Sequence, residues 1–172
     1  MKSQLTALAG PPCSGKSTAG TILAELLSVR FCETDRMVES SLGKPISWIF
    51  HNLGEKAFRT AEKQAVEKAL AHEPCVIALG GGTLLNTCTR KLVESRCRLF
   101  TLWASPETLA RRNTGERPLA ASNCMFQALL LERRKHYESL PGRVSTEGRT
   151  PRMVAELIAE LLRKEDPVLW SR

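Results

Sequence analysis

The chain is poor in aromatic residues. Phe, Tyr and Trp make up 5 % of its 172 residues, too few for the stacking platforms on which proteins bind single-stranded nucleic acid. It has no C-x-x-C pair. Its cysteines, Cys13, Cys32, Cys75, Cys88, Cys97 and Cys124, are scattered, which argues against a zinc ribbon or a thioredoxin-type redox motif and fits reduced, mostly buried thiols in a cytoplasmic protein. Long apolar runs are also missing. The N-terminal one, Leu5 to Ala9, stops at Gly10-Pro11-Pro12, short of a signal-peptide core, and no segment approaches the roughly 18 apolar residues of a membrane span. Blocks of one charge are absent too. The net charge of +7 comes from isolated cations such as Arg59, Arg117 and Arg149, set beside glycine, proline or acidic residues; that distribution suits a cleft for small anions better than nucleic acid or a membrane surface. There are no internal repeats or low-complexity tracts. With 42 % apolar residues, the chain is expected to form a single domain over 1–172 that buries about 70 % of its unfolded surface.

The most specific feature present is Gly10-Pro-Pro-Cys-Ser-Gly-Lys-Ser-Thr18, a G-x-x-x-x-G-K-[ST] phosphate loop lying between an apolar strand-like run and a helical pattern. That context gives it meaning. Backbone N–H groups of Cys13, Ser14, Gly15, Lys16, Ser17 and Thr18 can wrap nucleotide phosphates, Lys16 can neutralise their charge, and the Ser17 hydroxyl can ligate Mg²⁺.

Short apolar strands are predicted at Gln4 to Ala9, Val29 to Glu33, Cys75 to Leu79, Leu99 to Ala104 and Arg143 to Ser145. Helical patterns separate them at Lys16 to Ser28, Asp35 to Leu42, Ile46 to Asn52, Glu55 to Ala71, Thr89 to Glu94, Pro106 to Arg112, Cys124 to Glu138 and Pro151 to Arg163. Ser105 and Thr150, each followed by proline, read as helix caps. The alternation predicts an α/β fold, three layers α/β/α around a five-stranded parallel sheet, with ligands at the carboxyl ends of the strands. The polar stretch from about 111 to 123 has no periodicity and reads as a mobile lid.

Several residues at those strand ends are candidates for chemistry. Because strand side chains alternate, Glu33 and Asp35 would project to one side of the second strand, towards the phosphate loop if the two strands are neighbours; alternatively Asp35 caps the following helix. Carboxylates beside phosphates need a metal or an acceptor hydroxyl between them, so one of the two is a candidate for magnesium's water and the other for an acceptor hydroxyl. Gly80, Gly81 and Gly82 lose much backbone entropy on folding, and such a run at a strand end points to close approach of a ligand. Arg111, Arg112 and Arg117 could form a clamp that closes over phosphate oxygens. Spacing alone leaves Arg59 as a surface partner of Glu55 and Glu62, and Arg133 as either a solvated cation or an anion holder.

In order along the chain, the phosphate loop, Glu33-Thr-Asp35, Gly54-Glu-x-x-Phe-Arg59-x-x-Glu62, Gly80-Gly-Gly82, Arg117-Pro-Leu119, Glu132-Arg133-x-x-x-Tyr137 and Ser145-Thr-Glu-Gly-Arg149-Thr-Pro151 resemble the shikimate kinase family of P-loop kinases. The resemblance covers about Leu5 to Leu162. It implies an enzyme that transfers the γ-phosphoryl group of ATP to the 3-hydroxyl of shikimate, with Mg²⁺, in aromatic amino-acid biosynthesis. By the same resemblance Lys16, Asp35 and Arg117 are catalytic, and Asp35, Arg59, Gly80, Gly81, Gly82 and Arg133 hold shikimate from a helical region over 35–62. Cys13 to Thr18, Arg117, Arg149 and one of Arg111 or Arg112 would hold ATP, and Ser17 with Glu33 the metal. The partners expected are ATP and shikimate, with no nucleic acid or membrane, for a monomer in the cytoplasm. Two departures stand out: Glu33 replaces the usual Asp, and the segment from Arg111 to Arg117 is about one residue short. A gluconate-type or nucleotide kinase of the same fold is the alternative.

Overall fold

In the computed structural model, which describes residues 4–113 and 123–165, the first strand β1 (Leu5–Ala9) has every side chain buried. Such a strand needs cover on both faces, and it has it. Strand alternation sends Leu5, Ala7 and Ala9 into one apolar cluster and Leu8 into another. The remaining strands are β2 (Arg30–Glu33), β3 (Cys75–Ala78), β4 (Arg98–Trp103) and β5 (Arg143–Ser145). All pairings are parallel, in the order β2-β3-β1-β4-β5, with Ala7 of β1 opposite both Ile77 and Leu99. The five-stranded parallel sheet expected from the sequence is therefore present, and β1 sits where the winding reverses direction, the usual ligand side of such sheets.

Helix α1 (Lys16–Leu27) and the last helix, α7 (Pro151–Glu165), cover one face, placing Leu23, Leu27, Ile158 and Leu162 on Leu8, Phe100 and Leu102. Helices α3 (Ile46–Leu70), α4 (Thr87–Arg96) and α6 (Asn123–Glu138) cover the other through Val66, Leu70, Val93 and Tyr137. Each fully buried leucine or isoleucine in these layers contributes about 1.5–3 kcal/mol over its exposed state. A third cluster joins α2 (Thr34–Leu42) to α3 through Val38, Ile49, Phe58, Ala61 and Ala65. Short helix α5 (Pro106–Arg111) follows β4.

The two helices expected over 46–71 form one run interrupted at Gly54, whose φ of 80° and ψ of 168° break the helical path. Ser105 and Thr150 cap as expected, accepting the N–H groups of Thr108 and Met153. Asp35 does not cap. Helix α2 already starts at Thr34, leaving Asp35 in its first turn, because the Thr34 hydroxyl is tied to the strand layer, donating to Ala78 O and accepting Gly80 N–H at 3.0 Å. Helix α4 starts before Thr89, since the Asn86 side chain accepts from Thr89 N–H. The thiols are less buried than expected: all are free, but only Cys32 and Cys75 are buried, and Cys88 and Cys124 are exposed on helices. Burial pushes the Cys97 thiol up to about 12. Among the described residues no helix is long and apolar enough to cross a membrane.

Candidate functional site

The phosphate loop leaves β1 through Gly10, whose φ is 132° and whose added Cβ would lie 2.1 Å from Leu102 O. No other residue fits there. Cys13 and Gly15 also take positive φ, 63° and 90°, turning the chain into α1. Lys16 is buried, and its ammonium group donates to Gly10 O at 3.0 Å and Pro11 O at 2.8 Å. Beside it the Ser14 hydroxyl is buried with no partner among the described residues. The Ser17 hydroxyl donates to a Glu33 carboxylate oxygen, and the other Glu33 oxygen lies 3.0 Å from Arg36 Nε. Loop residues 13–19, both carboxylates and Arg112, Thr146 and Arg149 line a cavity of about 470 Å³.

Arg111 and Arg112 part company here. Arg112 reaches the cavity wall by donating to Thr146 Oγ1 at 3.0 Å and Thr146 O at 3.1 Å, whereas Arg111 donates to Thr108 at 2.8 Å and lies outside the lining. Arg149 lines the cavity and donates to Ser145 O. Arg117 and most of the proposed lid fall outside the described residues.

A second cavity of about 370 Å³ adjoins the first, and Glu33 and Asp35 line both. The two acids therefore converge as expected, although for a different reason: β2 ends at Glu33, and it is the first turn of α2, not strand alternation, that aims Asp35. Arg59 from α3, Arg133 from α6 and the glycines after β3 complete the wall, with Phe50 and Phe58 below. The two guanidinium groups meet at one point. A Cβ added to Gly82 would lie 2.9 and 3.0 Å from the Arg59 terminal nitrogens and 3.1 Å from Arg133 Nη1. At Gly80 the added carbon would lie 2.5 Å from Asp35 Oδ1 and 2.9 Å from Glu62 Oε1. The glycines are thus required by the site's own side chains packing against them, a more local cause than ligand approach.

Arg59 is not surface decoration. It donates to Glu62 at 2.8 Å, and Glu62 is buried and also accepts the Thr83 hydroxyl at 2.7 Å. Burial alone would lower the pKa of Arg59, but the Glu62 and Glu55 carboxylates raise it above its ordinary value, so the cation is permanent. Arg133 differs: its Nε is buried and has no hydrogen-bond partner among the described residues. A buried donor in that position calls for an acceptor that the described residues do not supply.

A sequence model of the family "Shikimate kinase" matches residues 12–163. The shikimate kinase of Salinispora tropica is 43 % identical over 159 residues, covering 90 % of this chain and 95 % of the relative. A shikimate kinase of Thermus thermophilus is 40 % identical, covering 86 % of this chain and 84 % of its own. The chain belongs to the shikimate kinase family. Among solved structures, the shikimate kinase of Acinetobacter baumannii in complex with shikimate superposes with a TM-score of 0.87 at 29 % identity, covering 94 % of both chains. A gluconokinase of Sinorhizobium meliloti, at 19 % identity and a TM-score of 0.58, shares the fold alone.

Membership makes the protein an ATP-using kinase, a class whose chemistry involves a divalent cation. Both donors offered here are hard oxygens, the Ser17 hydroxyl and the Glu33 carboxylate, and among the described residues no group of three or more Cys, His, Asp or Glu could hold a metal by itself. That donor set fits a cation completed by phosphate oxygens and water.

Parts of this shikimate kinase site were not predicted from sequence. Glu62 reads as an i,i+3 surface partner until Thr83 and the glycine turn close over it. The Tyr137 hydroxyl, which donates to Gly81 O at 2.8 Å, lies 56 residues away in sequence and gives no local signal. Glu147, which stands in the Ser145-to-Pro151 motif without an assigned role, accepts the Ser105 N–H at the start of α5.

Proposed function

We propose that this shikimate kinase transfers the γ-phosphoryl group of ATP to the 3-hydroxyl of shikimate, giving ADP and shikimate 3-phosphate. One observation carries the reading. The nucleotide cavity opens, across the shared wall of Glu33 and Asp35, onto a smaller cavity where two arginines from distant helices converge. Planar guanidinium forks suit a carboxylate, and the Arg133 Nε, which has no partner among the described residues, can bind one.

In this reading shikimate's carboxylate sits between Arg59 and Arg133, and Asp35 orients the ring hydroxyls and accepts the proton of the attacking one. Lys16 exchanges its loop carbonyls for phosphate oxygens. Arg112 and Arg149 flank the base end of the nucleotide. Ser17 and Glu33 would hold Mg²⁺, directly or through its water, and the ion would supply charge neutralisation on the phosphates. Phosphoryl transfer asks for little else, since positioning and electrostatics carry most of its catalysis. Residues 111–123, Arg117 among them, act as the lid of one kinase domain spanning the chain. The protein works as a cytoplasmic monomer without nucleic acid or membrane.

Calorimetry tests the acceptor assignment. Folded protein that binds magnesium nucleotide should also bind shikimate saturably; no heat, under conditions sensitive to millimolar affinity, would reduce the protein to a phosphate-loop kinase with a different acceptor.

A further inference from the structure

Glu147 lines neither of the two cavities and yet holds the segment that carries Arg112. The start of α5 is fastened to the loop after β5 by one carboxylate: Glu147 Oε2 accepts the Ser105 backbone N–H at 2.8 Å, and Oε1 accepts the Thr108 hydroxyl. The Thr108 oxygen in turn accepts Arg111 at 2.8 Å. On the other side of the same loop, Thr146 is buried, fixed to Trp103 O through its own N–H at 2.8 Å, and accepts two bonds from Arg112. The neighbouring residues 146 and 147 thus grip the two ends of α5, Thr146 the arginine and Glu147 the N-terminal turn. A six-residue helix has too few internal bonds to fix its own direction, so outside contacts set it: Leu109 packs on Phe126 and Leu130 of α6, and these hydrogen bonds hold its two ends. Glu147 ties down its start and Thr146 receives its end.

We infer that Glu147 is a positioning residue for the nucleotide: through Ser105 and Thr108 it aims α5 so that Arg112, and not Arg111, faces the nucleotide cavity. The inference rests on the assignment of that cavity to ATP. It also accounts for which of the two adjacent arginines lines the cavity, which their sequence positions leave open. The hydrogen bonds from Thr108 and Ser105 hold the Glu147 carboxyl below its ordinary range, so the bracket is anionic at neutral pH.

The test is calorimetric titration with ADP, and separately with shikimate, of five proteins: wild type, Glu147→Ala, Glu147→Gln, Thr108→Val and the Glu147→Ala/Thr108→Val double variant. Glu147→Ala should weaken ADP about three- to tenfold, the scale of one ordinary hydrogen bond lost indirectly, and leave shikimate affinity as it was. Thr108→Val should do the same, and the double variant should be no weaker than either single one, because both cut one bracket. Glu147→Gln, whose amide oxygen still accepts from Ser105 and whose amide N–H can donate to the Thr108 oxygen, should recover most of the loss. Unchanged ADP affinity in Glu147→Ala, additive losses in the double variant, or an equal fall in shikimate affinity would each overturn the inference. If the wild type binds ADP but not shikimate, the acceptor assignment fails and this inference stands.

Discussion

Replacing Arg133 separates binding from folding unusually well in this site. Its Nε makes no hydrogen bond among the described residues, so truncation orphans no buried partner, whereas truncating Arg59 would strand the buried carboxylate of Glu62. The cost of Arg133→Ala should therefore fall on the ligand. Hydrogen bonds to charged groups are worth about 1.5–3 kcal/mol net, and Arg59 remains to hold the other side of the carboxylate. A loss of about 2–3 kcal/mol corresponds to a roughly 30- to 150-fold rise in the shikimate KM. Arg133→Lys keeps the charge and loses the fork, so it should regain about tenfold at most. An ADP-release assay with shikimate varied at saturating ATP reads the effect, and a thermal melt shows whether the fold has moved. A KM within about threefold of wild type, or a matching loss of ATP affinity, would refute the reasoning on the scale given above.

Three further outcomes follow from the same contacts. Glu62→Ala removes the partner of both Arg59 and Thr83; because Arg59 is partly exposed, the cost should be about 2 kcal/mol, a fall in Tm of about 4–8 °C, and a Tm within a degree of wild type would show that the pair is not structural. Gly80→Ala places a carbon 2.5 Å from Asp35 Oδ1 and should lower kcat at saturating substrates while nucleotide affinity holds, because the displaced carboxylate is the proposed proton acceptor; unaltered kcat counts against that role. Burial, with Arg90 and Arg133 nearby, lowers the His136 pKa from its ordinary 6.5, so the unfolded chain binds more protons than the folded one as pH falls through that value. Stability should therefore decline between about pH 7 and 5.5, and His136→Gln should flatten the decline; an unaltered slope would remove His136 as its source.

Much of the fold was readable in the chain, because runs such as Cys75–Ala78 and the phosphate loop have local causes in apolar content and glycine geometry. Helix and strand ends were less so, since Thr34 starts α2 only by bonding to Ala78 and Gly80, some 45 residues on. The same limit governs the site. Arg59 and Arg133 could each be named, but that they meet over Gly82 depends on how the fold places α3 and α6 around the glycine turn. Glu62 and Glu147 stand within quoted motifs, which give neither of them a role. Their roles come from burial and from partners far along the chain. Choosing between Arg111 and Arg112 likewise depends on how α5 is anchored, a tertiary fact.

The central claim is tested most directly by offering the protein magnesium ATP with shikimate, gluconate or AMP in parallel, following ADP release and identifying the product by phosphorus NMR. The account predicts turnover with shikimate and a phosphate monoester on its 3-hydroxyl. Turnover only with gluconate or AMP would contradict it.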